Sequence, residues 1–305
     1  MPAAQIKQAT APAGGSTPTS HPQANGVNPI RRRWPRRVLL VVGALALIVV
    51  GIFGYFFAAY QLRTHPGAKS VGSALRSFRG SGPTTRVPGS SYAFPQAGVY
   101  TMRGKGLEGI SFPPESEQDG TIVPVTISYP SSACWHMRLD FNVAHWEDYV
   151  FCPSALGLRQ ASNHVYQAWD FGATTITNLS TVNCPASTVV LPRDPKEDAP
   201  LTWTCLERNT SAAIGAGMSS TRARIVGFKT LRIGGVAVPT VEERQTSTVS
   251  GAQTGSVILT WWFATSTGLP VRFDRHRGVH SPTPIGTVTY REDGSGVLTS
   301  LKPRT

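Results

Sequence analysis

Cys134–Val143 reads CWHMRLDFNV. Trp135, Met137, Leu139, Phe141 and Val143 fall on one face of an extended chain. Cys134, His136, Arg138, Asp140 and Asn142 fall on the other. Alternation of apolar and polar residues with a period of two marks a half-buried β-strand. The pattern recurs just upstream at Val123, Val125, Ile127 and Tyr129, and again downstream at Val257, Leu259, Trp261 and Phe263. The run also sets a register. If Asn142–Ala144 is a three-residue loop, Phe141 faces His145, and Arg138 faces Asp148 as an opposite-charge cross-strand pair. The same register places Cys134 opposite Cys152.

Outward from this hairpin, turn signals recur at Gly104-Lys105-Gly106, Gly234-Gly235, Thr267-Gly268 and Asp293-Gly294. LRIGGVAVP at 231–239 reads as a hairpin, because Gly-Gly supplies the positive φ angles of a two-residue turn. The chain has 305 residues with 30 Gly, 24 Pro and only 15% charged residues. That Gly and Pro load argues against a helical bundle and for short strands joined by tight turns. The expected fold is mainly β: a single antiparallel sheet of about ten strands, strongly curved or half-closed, preceded by one transmembrane helix.

Val38–Tyr60 supplies that helix, as 23 residues without a charge. At about 1.5 Å per residue it is long enough to cross a hydrocarbon core of about 30 Å. The cluster RRRWPRR at 31–37 directly precedes it, which predicts a cytoplasmic N-terminus and an extracytoplasmic C-terminal domain on a single-pass, uncleaved anchor. The expected division is a disordered cytoplasmic tail at 1–37, the span at 38–60, a Pro/Gly/Ser-rich stalk at 61–97 and the β domain at 98–305. Within the stalk, VGSALRSFR at 71–79 has the pattern of a short basic amphipathic turn.

The formal net charge of +12 does not indicate nucleic acid. Residues 1–37 carry six basic groups and no acid, residues 61–97 carry five and none, and residues 98–305 carry 18 against 17 acids. The excess flanks the apolar run, whereas a nucleic-acid binder places it on the folded domain.

Cys134, Cys152, Cys184 and Cys205 all lie beyond the apolar run. An even number on the oxidising side of a membrane implies two disulfides. The hairpin register pairs Cys134 with Cys152, and Cys184–Cys205 follows by elimination. No CxxC pair or His at zinc spacing accompanies them, so neither a metal nor another cofactor is assigned. His136, Asp140, His145, Glu147 and Asp148 cluster at the hairpin; of the two readings such a cluster allows, a metal site and a solvated polar face, the solvated face is preferred. There is no GxSxG, HExxH, P-loop or GxGxxG signature, so no catalytic residue is assigned and the chain is read as a non-enzyme. Asn178-Leu-Ser180 and Asn209-Thr-Ser211 match the glycosylation pattern.

Ser256–Phe273, SVILTWWFATSTGLPVRF, holds a strand ending in aromatics, a turn, then Gly-Leu-Pro-Val-Arg and another strand. Gly286-Thr-Val-Thr-Tyr290 and a last strand near Val297–Leu301 follow. This resembles the hairpin and trailing strand of the LolA-like lipoprotein-carrier superfamily, and the domain also looks like membrane-anchored proteins of high-GC Gram-positive bacteria. The resemblance implies a half-barrel with an apolar concave face. The expected function is therefore a membrane-tethered binding module for lipid or another apolar ligand, with Trp135, Met137, Leu139, Phe141, Trp261 and Phe263 as ligand contacts. The alternative is an envelope interaction or scaffold protein in which those residues are packed core. Expected partners are the membrane and a lipid or envelope protein, without nucleic acid.

Overall fold

The computed structural model describes residues 36–80, 94–130, 134–211, 214–283 and 286–305. The expected tail up to residue 35 and the stalk residues 81–93 lie outside them. The chain divides into two units, Met1–Ile52 and Phe53–Thr305. Helix α1 (Arg36–Gln61) contains the stretch Val38–Gln61, which is long and apolar enough to span a membrane. No part of its most apolar window is buried by the protein itself, as a lipid-facing helix requires.

The second unit is a β-barrel. Its strands are β1 (Gly98–Ser111), β2 (Pro114–Gln118), β3 (Ile122–Ser128), β4 (Trp135–Asp140), β5 (His145–Ser154), β6 (Gly157–Asp170) and β7 (Thr175–Asn183). The later strands are β8 (Val189–Pro192), β9 (Pro200–Asn209), β10 (Gly217–Ile233), β11 (Val236–Gly251), β12 (Thr254–Ala264), β13 (Pro270–Thr283) and β14 (Gly286–Leu298). Twelve of these 14 strands form the antiparallel path β14-β13-β12-β11-β10-β9-β7-β6-β5-β4-β3-β1, and β1 pairs back onto β14 to close it. The short β2 pairs with β1, and β8 with β6.

This corrects the expectation of a half-closed sheet of about ten strands. The seam explains the difference. Gly104-Lys105-Gly106 and Asp293-Gly294 are not turns: they lie inside β1 and β14, where Gly106 faces Gly294 and Gly104 faces Gly296. A Cβ built on Gly296 would sit 2.6 Å from the Phe273 ring, and one on Gly106 would strike the Asp119 carboxylate. Glycine at the seam makes room for large inward side chains from the neighbouring strands, a second use of glycine besides turns.

Other expectations agree with the structure. In the hairpin, Arg138 is the Cα partner of Asp148 and Trp135 that of Phe151, with Asn142–Ala144 between the strands. Gly234 and Gly235 have φ of 56° and 85° between β10 and β11, the geometry of the two-residue turn. Cys134 bonds Cys152 and Cys184 bonds Cys205, with Cα–Cα distances of 4.2 and 4.3 Å, the close approach of a non-hydrogen-bonded cross-strand site.

Part of the stretch read as a stalk touches the barrel. Arg63 pairs with Glu115, and the Val143 amide donates to the Gly67 carbonyl at 3.0 Å. Ser70 Oγ accepts the Ser73 amide at 3.1 Å, capping helix α2 (Val71–Gly80). That helix buries Ala74 and packs against β1 and β3.

Candidate functional site

The barrel interior is filled in layers. On the side of the Cys134–Cys152 bridge, Trp135, Met137, Leu139, Phe141, Trp261 and Phe263 are all at most 1% exposed. Tyr149, Phe151 and Phe273 join them. Tyr149 meets Trp261 edge-on at 5.2 Å between ring centroids, and Phe151 meets Phe263 at 6.3 Å. The six residues named as ligand contacts from the sequence are therefore found together in an aromatic plug, and none of them lines the cavity described below. Alternation identified a buried face, and barrel closure covers it with its own opposite wall.

A charged layer lies beside the plug. Its members are inward-facing residues of five strands: Glu108 on β1, His145 and Glu147 on β5, Gln167 on β6, Arg275 and Arg277 on β13, and Tyr290 and Glu292 on β14. His145 Nδ1 lies 3.0 Å from Glu108 Oε1. Gln167 Nε2 donates to Glu108 Oε2 at 2.9 Å and to the Tyr290 hydroxyl at 2.7 Å. The Tyr290 hydroxyl is 2.9 Å from both Glu108 Oε2 and Glu292 Oε2, so one proton serves two carboxylates. Tyr149 donates to Glu147 Oε2 at 2.6 Å, and Arg275 bridges Glu147 and Glu292. Arg277 Nη1 stands 3.7 Å from Glu292 Oε2.

The electrostatics follow from burial set against this pairing. Burial pushes the Glu147 carboxyl up, but Arg275, Arg277 and His145 outweigh it and hold it at about 2. Burial likewise raises Glu108, yet the charge and hydrogen bond of His145, with those of Tyr290 and Gln167, bring it below the usual carboxylate value. Burial pulls the His145 imidazole down, while Glu108 above all, then Glu292 and Glu147, carry it up to about 9. Asp119 is pushed up to about 7, chiefly by burial.

This layer corrects the reading of the hairpin polar residues as one solvated face. His136 and Asp148 do pair on the outer face at 2.8 Å, and Arg138 bonds Asp140 at 3.0 Å instead of Asp148. His145 and Glu147, at 1% and 0% exposed, point inward. The missed partners were detectable by parity. Val271 and Phe273 are inward residues of β13, so Arg275 and Arg277 must share their face.

Beyond the charged layer the barrel is hollow, with a cavity of about 510 Å³. Arg275, Arg277, Tyr149, Gln167 and Tyr290 line it where it meets the charged layer. Trp169, Phe171, Val249, Val257, Val279 and Ile110 supply apolar wall, while Asn163, Asn178, Ser180, Thr221, Gln245 and Ser247 add amides and hydroxyls. Residues of strand connections also line it: Phe112, Pro113, Ile214 and Gln253, at the end opposite the plug. Tyr60, in the last turn of α1, packs on the cluster of Trp169, Phe171, Val249, Val279 and Tyr290, and its hydroxyl donates to the Pro114 carbonyl. Asn178, read as a glycosylation acceptor, is turned into this cavity and donates to Asn209 Oδ1 at 2.8 Å.

No protein-family model matches the chain, and no curated protein matches it. Among solved structures, the chain is similar to the hypothetical lipoprotein YmcC from Escherichia coli (K12), with 12% identity and a TM-score of 0.30, over 68% of this chain and 85% of that one.

Proposed function

We propose that this protein is a membrane-tethered, non-enzymatic binding module of the cell envelope. Its barrel takes one amphipathic, largely apolar ligand of lipid type into the half-filled interior. The observation that carries the reading is the cavity of about 510 Å³, within the range of small-molecule sites, ending in a wall of Trp169, Phe171, Val249 and Val279. Its walls, apolar side chains and uncharged amides and hydroxyls with Arg275 and Arg277 at the charged layer, suit a ligand with a hydrocarbon part and a polar end. The layer beside it sets paired charges, Arg275 with Glu147 and Glu292, against the end of such a ligand. Tyr60 ties the cavity wall to the last turn of the apolar helix. Tethering by that helix keeps the protein at a membrane, where apolar ligands are concentrated. This places ligand contact on residues other than the six aromatics and aliphatics expected from the sequence. The extracytoplasmic side is supported by the two disulfides.

Uptake of a fluorescent fatty-acid analogue by the full chain in nanodiscs tests the reading. Saturable uptake of one probe per chain is expected, abolished by Val249→Trp, which fills the cavity. Uptake that never saturates, or that Val249→Trp leaves unchanged, refutes it.

A further inference from the structure

Three buried ligand-type side chains meet behind the cavity floor. His145, Glu147 and Glu292 each offer one ligand atom, and these lie within 4.8 Å of one another, on side chains that are at most 1% exposed. Among the described residues, His145 Nε2 and Glu147 Oε1 have no hydrogen-bond partner, while Glu292 Oε1 is held by Arg275 in an ion pair. A buried polar atom without a partner costs about 1–3 kcal/mol, so two facing each other call for an occupant.

We propose that these atoms bind one divalent transition cation of the Zn²⁺ class, with His145 Nε2, Glu147 Oε1 and Glu292 Oε1 as ligands. Glu108 supports the arrangement from behind. Its Oε1 is 3.0 Å from His145 Nδ1, so Nδ1 keeps its proton against Glu108, and a bound cation displaces the proton from Nε2, the nitrogen that faces Glu147. A carboxylate on one ring nitrogen and a metal on the other is the usual outer-shell arrangement of a ligating histidine. A proton on Nε2 satisfies the cluster less well, because Glu147 Oε1 is 3.9 Å away, too far for a hydrogen bond. The charges agree. Glu108, Glu147 and Glu292 face Arg275 and Arg277, so with His145 neutral as a ligand the cluster has more negative than positive charge and favours a cation. One imidazole and two carboxylates suit Zn²⁺, and the atoms need only a modest contraction to reach Zn–N and Zn–O bonds of about 2.0–2.2 Å. Arg275 pairs with both Glu147 and Glu292 and holds the two carboxylates in place. The route in is the cavity, since Arg275, Arg277 and Tyr290 line it.

The test uses the untagged full chain, stripped with chelator, equilibrated with buffered Zn²⁺ at micromolar concentration and assayed by elemental analysis. One equivalent of Zn²⁺ is expected. His145→Gln and Glu292→Gln should each lower retention at least tenfold, Glu108→Gln by about 10–100-fold as a positioning residue, and His136→Gln, on the outer face, not at all. Co²⁺ added to the wild-type protein gives a readout that does not depend on how the variants fold: visible d–d bands of a nitrogen- and oxygen-ligated site. Less than a tenth of an equivalent of Zn²⁺, no Co²⁺ bands, or equal retention by folded His145→Gln and Glu292→Gln overturns the proposal.

Discussion

Arg275→Met is the sharpest probe of the interior. The guanidinium is buried, 2.5 Å from Glu147 Oε2 and in contact with Glu292, and it lies over the Phe141 ring at 4.7 Å. Methionine keeps most of the stem packing but removes the charge. The two carboxylates are not left equally exposed to the loss. Glu292 keeps Arg277 and the Tyr290 hydroxyl, whereas Glu147 keeps only Tyr149 as a direct hydrogen-bond donor. Breaking one partner out of a buried pair costs about 3–5 kcal/mol, because the remaining charge is uncompensated. That magnitude is expected here, with most of it assigned to Glu147. Adding Glu147→Gln removes the stranded charge and should restore most of the loss, since replacing a whole buried ionic set is often nearly neutral. The assay is urea unfolding of the oxidised full chain in nanodiscs with chelator present, using a double-mutant cycle over Arg275 and Glu147. The loss should shrink toward acid pH, where Glu147, freed of the guanidinium, can take up a proton. A cost below about 1 kcal/mol, or strict additivity of the two substitutions, would refute the account of this layer.

Three further outcomes follow from other sites. Glu243 is fully buried, with Gln245 as its hydrogen-bond donor, and burial holds its carboxyl well above the usual value. The folded chain keeps this proton while the unfolded chain releases it above about pH 4.5, so Glu243 lowers stability by up to about 1.4 kcal/mol per pH unit from there. Glu243→Gln should therefore stabilise the protein at pH 8 and change little at pH 4 in thermal melts. Gly296→Ala places a methyl against the Phe273 ring at the β1–β14 seam and should cost about 1–3 kcal/mol; an unchanged urea midpoint would show that the seam has slack. Replacing Cys134 and Cys152 together by alanine opens a loop with a sequence separation of 18 and should cost about 3 kcal/mol. Peptide mapping without reduction should recover Cys134 joined to Cys152.

The hairpin at 134–152 was legible from the sequence because two independent marks, opposite charges at the facing positions Arg138 and Asp148 and a cysteine pair, agree in one register, although Arg138 itself bonds Asp140. Closure was not, because glycine carries two meanings. Gly106 and Gly294 are spelled as turns but serve a crowded seam, and only knowledge of Phe273, Arg275 and Asp119 inside the barrel separates the two uses. The plug residues were recognisable as buried, yet what covers them is the opposite wall, far away in sequence, as in the contacts Phe141–Phe273 and Phe151–Phe263. The charged layer escaped notice because its members are far apart in sequence, from Glu108 to Glu292, and each strand contributes only one or two. The cavity follows from the same cause: the inward faces of β7, β9 and β10 carry Asn178, Ser180, Glu207 and Thr221, polar residues that a strand pattern assigns to solvent.

The claim that the half-filled barrel holds an apolar ligand is tested most directly by photolabelling. A fatty acid bearing a diazirine near its methyl end is incubated with the full chain in nanodiscs, irradiated, and the labelled residues are mapped by mass spectrometry. The account predicts labels concentrated on cavity-wall residues such as Trp169, Val249 and Val279, suppressed by excess unlabelled fatty acid. Labels confined to the apolar helix and the outer barrel surface, or insensitive to competitor, would contradict it.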